Sequence, residues 1–273
     1  VTAPPPPVAA PPAVPEPTKT ACGADLPPKD FSRQDVYKGR PFQPGESANY
    51  EVSYVGVHAG YGNIDVEQPI RHDGVWHQVF SGNASTGDWY EKIFIVKDKI
   101  RAVSRPWDFG AAQFYIEQDE GLFFGRRFTQ KKWITFDQNN CKVFEKTENR
   151  KKEIKNDEYQ LEPGADDALS AFFALRTLNF KPGRTERIQV YTSEKNWFLD
   201  AEPITEESVQ VPAGTFKAMK LKLTTYLGKD LQQKGDVFIW IATEHPNRPM
   251  IRVEAEVKVG SIQVRLKNFV PGR

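Results

Sequence analysis

The chain has 273 residues, enough for one large or two small domains, and its 12% aromatic content supplies large side chains to fill a sizeable core. A net charge of +1 gives no whole-molecule argument for nucleic acid or an acidic surface as partner. With a mean hydropathy of −0.58 and no run approaching the roughly 18 apolar residues of a membrane-spanning helix, the chain reads as globular.

Residues 1–29 are rich in Pro and Ala (Pro4-Pro5-Pro6-Pro7, Pro11-Pro12, Pro15, Pro17, Pro27-Pro28). Such a stretch has little to bury and favours extended polyproline II, so a disordered or semi-rigid tether is expected, followed by a single domain over 30–273. The chain opens without Met and without a basic-then-apolar leader, and the expectation is that a targeting peptide or anchor has been removed. Cys22 and Cys141 are the two cysteines. They are too far apart for a local zinc knuckle, so no metal is expected of them. One disulfide pinning the N-terminal segment to the body is the economical reading in an oxidising compartment, and two unrelated thiols the reading in a reducing one. A lipid-anchor role for Cys22 is disfavoured because Thr18-Lys19-Thr20-Ala21 lacks the aliphatic residue of a cleavage box.

From Ser47 the chain alternates. Ala48, Tyr50, Val52 and Tyr54 are separated by polar residues, which predicts a half-buried antiparallel strand. Further strands are expected at 61–66, 76–84, 90–96, 100–104, 114–116, 122–128, 132–136 and 141–145, at hairpin spacing and with no helix between them. That pattern argues against a parallel βαβ sheet. The charged stretch 148–159 predicts a solvated loop or hairpin. Ala165 to about residue 179 is the one convincing helix. Asp166 and Asp167 stand where a carboxylate caps free N–H groups, and from Ala168 to Leu178 only Ser170, Arg176 and Thr177 are polar. A helix apolar on almost every face is buried, here expected to pack Leu169, Phe172, Phe173 and Leu175 on Leu221, Leu223, Phe238 and Trp240. Strands follow at 187–192, 196–201, 208–211, 216–224, 237–242, 250–257 and 261–266, and Val237–Ala242, with no polar face, reads as central and covered on both sides. Phe42-x-Pro44-Gly45 and Phe180-x-Pro182-Gly183 each precede a strand, an internal echo that leaves a duplication open.

Several pieces together resemble the bacterial family known as domain of unknown function 3108. They are Pro44-Gly45-Glu46 with Tyr50; Asp167-Ala168-Leu169-Ser170 with Phe173, Leu175-Arg176 and Pro182-Gly183; Val211-Pro212-Ala213-Gly214-Thr215-Phe216; and Ile239-Trp240-Ile241 before Arg248-Pro249. The resemblance spans most of residues 42–267. It implies an exported protein of Gram-negative envelopes, periplasmic, with a mostly antiparallel and strongly curved sheet. It supplies no catalytic residue.

The chemistry-bearing residues are sparse. His72 and His77, read as i and i+5 on one strand, should point to opposite faces and not share a metal. Asp166-Asp167 reads as a cap and not as an acid–base couple. Ser170 has no neighbouring His, and no nucleophile elbow, P-loop or Rossmann glycine pattern occurs. The basic–aromatic run from Gly125 to Trp133 reads as a charged strand edge, with contact to anionic lipid head groups or cell-wall polymer as its functional alternative. The fold class expected is therefore all-β: a mostly antiparallel, strongly curved sheet, half-barrel or spiral, with one buried central helix. The function expected is a non-catalytic envelope protein binding an apolar ligand, such as a lipid or lipoprotein acyl chain, in the concave sheet. Its lining would be drawn from Tyr50, Tyr54, Trp76, Trp133, Phe172, Trp197 and Trp240, in a cavity of several hundred Å³ bordered by the helix. The alternative is a structural or interaction scaffold with a filled core. No cofactor, no metal and no nucleic acid is expected; the partners are lipid or envelope proteins, with membrane attachment peripheral or through the removed N-terminal segment.

Overall fold

The computed structural model describes residues 19–87, 90–122, 124–228, 230–232, 235–257 and 260–273. The first eighteen residues of the expected tether, and Phe123 of the expected strand at 122–128, lie outside the described residues. In the first half run β1 (Ser47–Tyr54), β2 (Val57–Val66), β3 (Ile70–His72), β4 (Val75–Thr86), β5 (Phe94–Ser104), β6 (Ala111–Leu122), β7 (Arg127–Asp137), β8 (Lys142–Asn149) and β9 (Ile154–Gln160). The helix α1 (Ala168–Leu175) follows. The second half holds β10 (Glu186–Thr192), β11 (Lys195–Val211), β12 (Gly214–Leu227), β13 (Asp230–Leu231), β14 (Val237–Ala242), β15 (Met250–Glu256) and β16 (Ser261–Val270).

Each half is an antiparallel meander, as the alternating sequence and hairpin spacing require, and β16 pairs with β1 to join them. The sheet runs β10-β11-β12-β14-β15-β16-β1-β2-β4-β5-β6-β7-β8-β9, with β3 a flap on β4 and β13 a flap on β12. Its two edges, β9 and β10, belong to the strands on either side of α1. No ladder joins them, and the sheet is open. Side chains and one stretch of backbone span the gap instead. Tyr191 Oη donates to Glu145 Oε1 at 3.0 Å, Lys132 Nζ reaches Glu194 Oε1 at 3.4 Å, and Asn196 Nδ2 donates to the Gln160 carbonyl at 2.8 Å. Asp166 adds a parallel bridge to β10, its N–H donating to the Gln189 carbonyl at 2.9 Å and its own carbonyl accepting from Tyr191 N–H at 2.8 Å. Edge groups that would otherwise invite another strand are thereby occupied.

The helix is shorter than the sequence suggests. Asp167 is extended (φ −83°, ψ 169°) and its carboxylate accepts from the N–H groups of Leu169 and Ser170, both at 2.9 Å. Capping by Asp167 therefore starts the helix at Ala168, while Ala165 and Asp166 serve the sheet. At the other end the N–H groups of Arg176 and Thr177 reach back three residues to Phe173 and Ala174, a tightening that ends the helix.

α1 sits within the curve of the sheet, and two apolar clusters pack around it. Phe173 stacks on Phe80 of β4 with ring centroids 3.7 Å apart and meets Phe42 at 5.1 Å edge-on. Leu175 packs with Leu221 and Ile239 in an adjoining cluster that Phe172 and Leu223 border. Phe238 and Trp240, expected against the helix, lie instead in a separate cluster with Val209, Ala218 and Ile251. Successive residues of a strand face opposite sides, so Ile239 and Ile241 carry the helix contact and the aromatics turn away. Val237–Ala242 is central and covered on both faces, as read. The two strands expected at 196–201 and 208–211 are one, β11, which passes Pro203 at a shift in register against β12. The end of this long hairpin folds over the neighbouring strands, and Ala213 N–H donates to the Leu266 carbonyl at 3.1 Å.

Cys22 and Cys141 form the expected disulfide. It belongs to a wider attachment: Ala24 is buried, Thr20 Oγ1 donates to the Gln138 carbonyl at 3.2 Å, and Asp25 offers its carbonyl to Arg105 and Trp107. Denatured, unreduced protein is therefore expected to give no reaction with a thiol reagent; two thiols per chain would refute the bond.

Candidate functional site

A polar cleft lies at the end of the curved sheet where this N-terminal segment is pinned. Three connections supply its walls. The Asp73-Gly74 turn between β3 and β4 places Ile70 opposite His77 and His72 opposite Val75. The loop from Arg105 to Gly110 presents Arg105 and Trp107, and the β7–β8 turn presents Gln138, Asn139 and Asn140. Asp25, Leu26 and Pro27 form the lip, and the cleft encloses about 530 Å³.

The two histidines correct the sequence reading. They are not on one strand but on either side of a two-residue turn, so their rings approach to 5.6 Å instead of facing apart. The Asp-Gly hairpin signal was present in the sequence and would have placed them together. His77 is buried, which disfavours its charged form and lowers its pKa, and its Nδ1 lies 3.0 Å from the Val75 carbonyl. Among the described residues no group of three or more His, Cys, Asp or Glu is arranged to hold a metal ion.

The strong groups of the cleft are already engaged. Arg105 is buried, donates through Nε to Asp108 Oδ1 at 3.0 Å, and pairs with the second oxygen through its Nη2. Gln138 Nε2 donates to the carbonyls of Ala111 and Ala165, and its Oε1 accepts from Gly164 N–H. Such paired groups fix loops.

Behind it lie Asp166 and Asp167, the second of which caps the helix. Burial raises Asp166 well above the ordinary range, with Asp167 and Asp108 adding repulsion. Asp167 is pushed up to about 6 by burial, partly offset by the hydrogen bonds from Ser170 and Leu169. Because this folded value lies above the ordinary 3.8, the folded chain binds the proton more tightly than the unfolded one. Asp167 thus adds stability as pH falls from about 6 towards about 4, and that increment is absent above the window. Asp167→Asn keeps the cap and should remove from the pH dependence a component of roughly 3 kcal/mol, about two pKa units at 1.36 kcal/mol each. Urea midpoints at pH 4.5 and 7.5 test this; an unchanged pH slope in the variant would contradict it.

A second polar cluster is fully enclosed. Arg176 Nη1 meets Glu46 Oε1 at 2.6 Å, both side chains being almost wholly buried. Its Nε and Nη2 donate to the carbonyls of Arg248 and Asn247 at 3.1 and 2.6 Å, and its guanidinium lies over the rings of Phe42 and Phe173. Glu46, Arg176 and Arg248 come from three of the four pieces that carried the family resemblance, so those pieces meet at one point.

The aromatics proposed as a lining do not converge. Tyr50 and Trp240 are buried in the cluster beneath the long hairpin, Trp240 donating to Glu207 Oε1 at 2.5 Å. Trp76 packs on the Phe80 cluster, and Phe172 lies between that cluster and the one around Leu175. Trp133 is exposed on β7, Trp197 donates to the Thr192 carbonyl at 2.9 Å, and Tyr54 ends β1. None of the clefts described is bordered by α1, and Phe42, Phe80 and Phe173 pack against one another beside it. Sequence reasoning missed Arg105, Trp107 and Gln138, whose positions depend on loops.

The family described as Protein of unknown function (DUF3108) matches residues 49–267, and the chain belongs to it. No protein among those with curated descriptions matches. In fold the chain is similar to a beta-barrel-like protein of domain of unknown function DUF1849 from Brucella abortus. That likeness has a TM-score of 0.51 at 7% identity and covers 84% of this chain and 98% of that one. Weaker likenesses are to a candidate exported protein of Bacteroides fragilis (TM-score 0.36, 12% identity) and a candidate lipoprotein of Parabacteroides distasonis (0.35, 15%). Each of these covers 85% of this chain and 98% of the other, and at these scores neither carries an argument.

Proposed function

We propose that this member of the DUF3108 family is a non-catalytic protein of the bacterial cell envelope, acting as an interaction scaffold and not as a carrier of an enclosed lipid. The observation that supports it is the filled interior. A carrier must leave part of its concave face open, whereas here Phe173 stacks on Phe80 at 3.7 Å and Phe42 packs edge-on against both. Contact with partners then falls to loops and strand ends. The Cys22–Cys141 bond suits an oxidising compartment such as the periplasm. No helix among the described residues is long and apolar enough to cross a membrane.

Native mass spectrometry of the purified protein tests the reading, together with titration by an environment-sensitive apolar dye. The expected spectrum shows the bare chain and the expected titration does not saturate. A stoichiometric lipid-sized mass that leaves only on denaturation would restore the carrier reading.

A further inference from the structure

The end of the curved sheet opposite the pinned segment carries an apolar tip. β5, β6, β7 and β8 are neighbours, so the connection before β5, the β6–β7 turn and the β8–β9 turn lie side by side. Phe94 faces Leu122 across the β5–β6 ladder and Glu120 faces Phe128 across β6–β7, so Phe94, Leu122 and Phe128 share one face of the sheet. All three are exposed, Ile93 beside them is exposed, and Phe124 at the turn is 90% exposed. Single exposed apolar residues are ordinary, but five on adjoining turns are a patch. The tip is built tightly: Gly121 has φ +147°, and a Cβ there would stand 2.4 Å from the Arg126 carbonyl.

The patch is bordered by cations. Arg126 and Arg150 line the same shallow cleft as Phe94 and Phe128, and Lys92, Lys151 and Lys152 are exposed nearby. Of the acids here, Asp119 pairs with Arg127 and Glu91 with Lys97 at 2.6 Å, whereas Glu120, which lines the same cleft, and Glu153 are held by the neutral amides of Gln118 at 2.9 Å and Asn149 at 2.7 Å and keep their charge. Arg126, Arg150, Lys151 and Lys152 have no carboxylate partner among the described residues. Aromatic and aliphatic side chains at a projecting tip, edged with unpaired Arg and Lys, match an anionic bilayer surface: rings enter the head-group boundary and cations meet the phosphates.

We propose that the β6–β7 tip docks the protein on the surface of a membrane containing anionic phospholipid. The proposal rests on the scaffold reading and names its partner. Co-sedimentation of the full chain with phosphatidylethanolamine–phosphatidylglycerol vesicles tests it, against phosphatidylcholine vesicles as the neutral surface. Binding to the anionic vesicles is expected, weakening as salt rises from about 0.05 M to about 0.5 M. Phe124→Ser with Phe128→Ser should lower affinity by about tenfold or more. Arg126→Ala with Arg150→Ala should lower it by about fivefold per cation, and only on anionic vesicles. Ile204→Ser, at an exposed residue on β11, should leave binding unchanged. Absence of wild-type binding, or binding unaffected by the tip substitutions, overturns the proposal. So does self-association without lipid that the Phe124/Phe128 variant abolishes, which would make the tip an interface between copies. A bare chain in native mass spectrometry alongside failed sedimentation would sink the docking surface and leave the scaffold reading standing.

Discussion

Phe173→Ala is expected to destabilise the fold by about 3–5 kcal/mol, the range for removing a large aromatic from a core that cannot collapse. The reason is positional. Phe173 is 1% exposed and lies at the contact of a short helix with a curved sheet, face to face with Phe80 and edge-on to Phe42. The surrounding strands are held by ladders on both sides and cannot move inward to refill the space. Aromatic pairing adds about 0.5–1.5 kcal/mol beyond buried area, so Phe173→Leu should recover part of the loss but not all. Urea denaturation followed by tryptophan fluorescence measures both variants. A midpoint for Phe173→Ala close to that of the wild type would mean that the helix does not organise the interior.

This packing was legible in the sequence only in part. Helix and depth were readable because Ala168 to Leu175 is apolar on every side except at Ser170, and the strands because Tyr50 and its neighbours alternate. The order of strands after a hairpin meander also follows almost directly. What periodicity does not give is which distant strand meets which face. Phe80 and Phe42 are the partners of Phe173, whereas Phe238 and Trp240, expected there, point away. The same limit governs the candidate site: a list of aromatics cannot say which are gathered, and these were dispersed among several clusters. His72 and His77 were misplaced for a local reason, a missed Asp73-Gly74 turn. Asp167 was read correctly because capping is a local interaction, complete within four residues.

Arg176→Met is expected to cost about 3–5 kcal/mol as well, by a different route. The substitution fits the volume of the side chain but leaves Glu46 enclosed without its counter-ion. Burial already raises the Glu46 pKa, and Arg176 is the first influence opposing it. Without the guanidinium, Glu46 must take up a proton to remain inside. The variant should therefore lose stability as pH rises above the ordinary carboxylate range, and its deficit should shrink at low pH, where the unfolded chain is protonated too. Lost hydrogen bonds to Asn247 and Arg248 add a pH-independent part, since their carbonyls anchor the β14–β15 loop to the end of α1. Glu46→Leu combined with Arg176→Met removes both charges, and replacing a buried pair with apolar groups is often neutral or stabilising. A double-mutant cycle at pH 5 and 7.5 separates the parts. If the double variant is no more stable than Arg176→Met alone, the loop anchor carries the cost; if it recovers most of the loss at pH 7.5, the stranded carboxylate does. A single Arg176→Met variant as stable as the wild type at pH 7.5 would contradict both, and the meeting of Glu46, Arg176 and the loop through Arg248 would then not be what ties the two halves of the sheet to the helix.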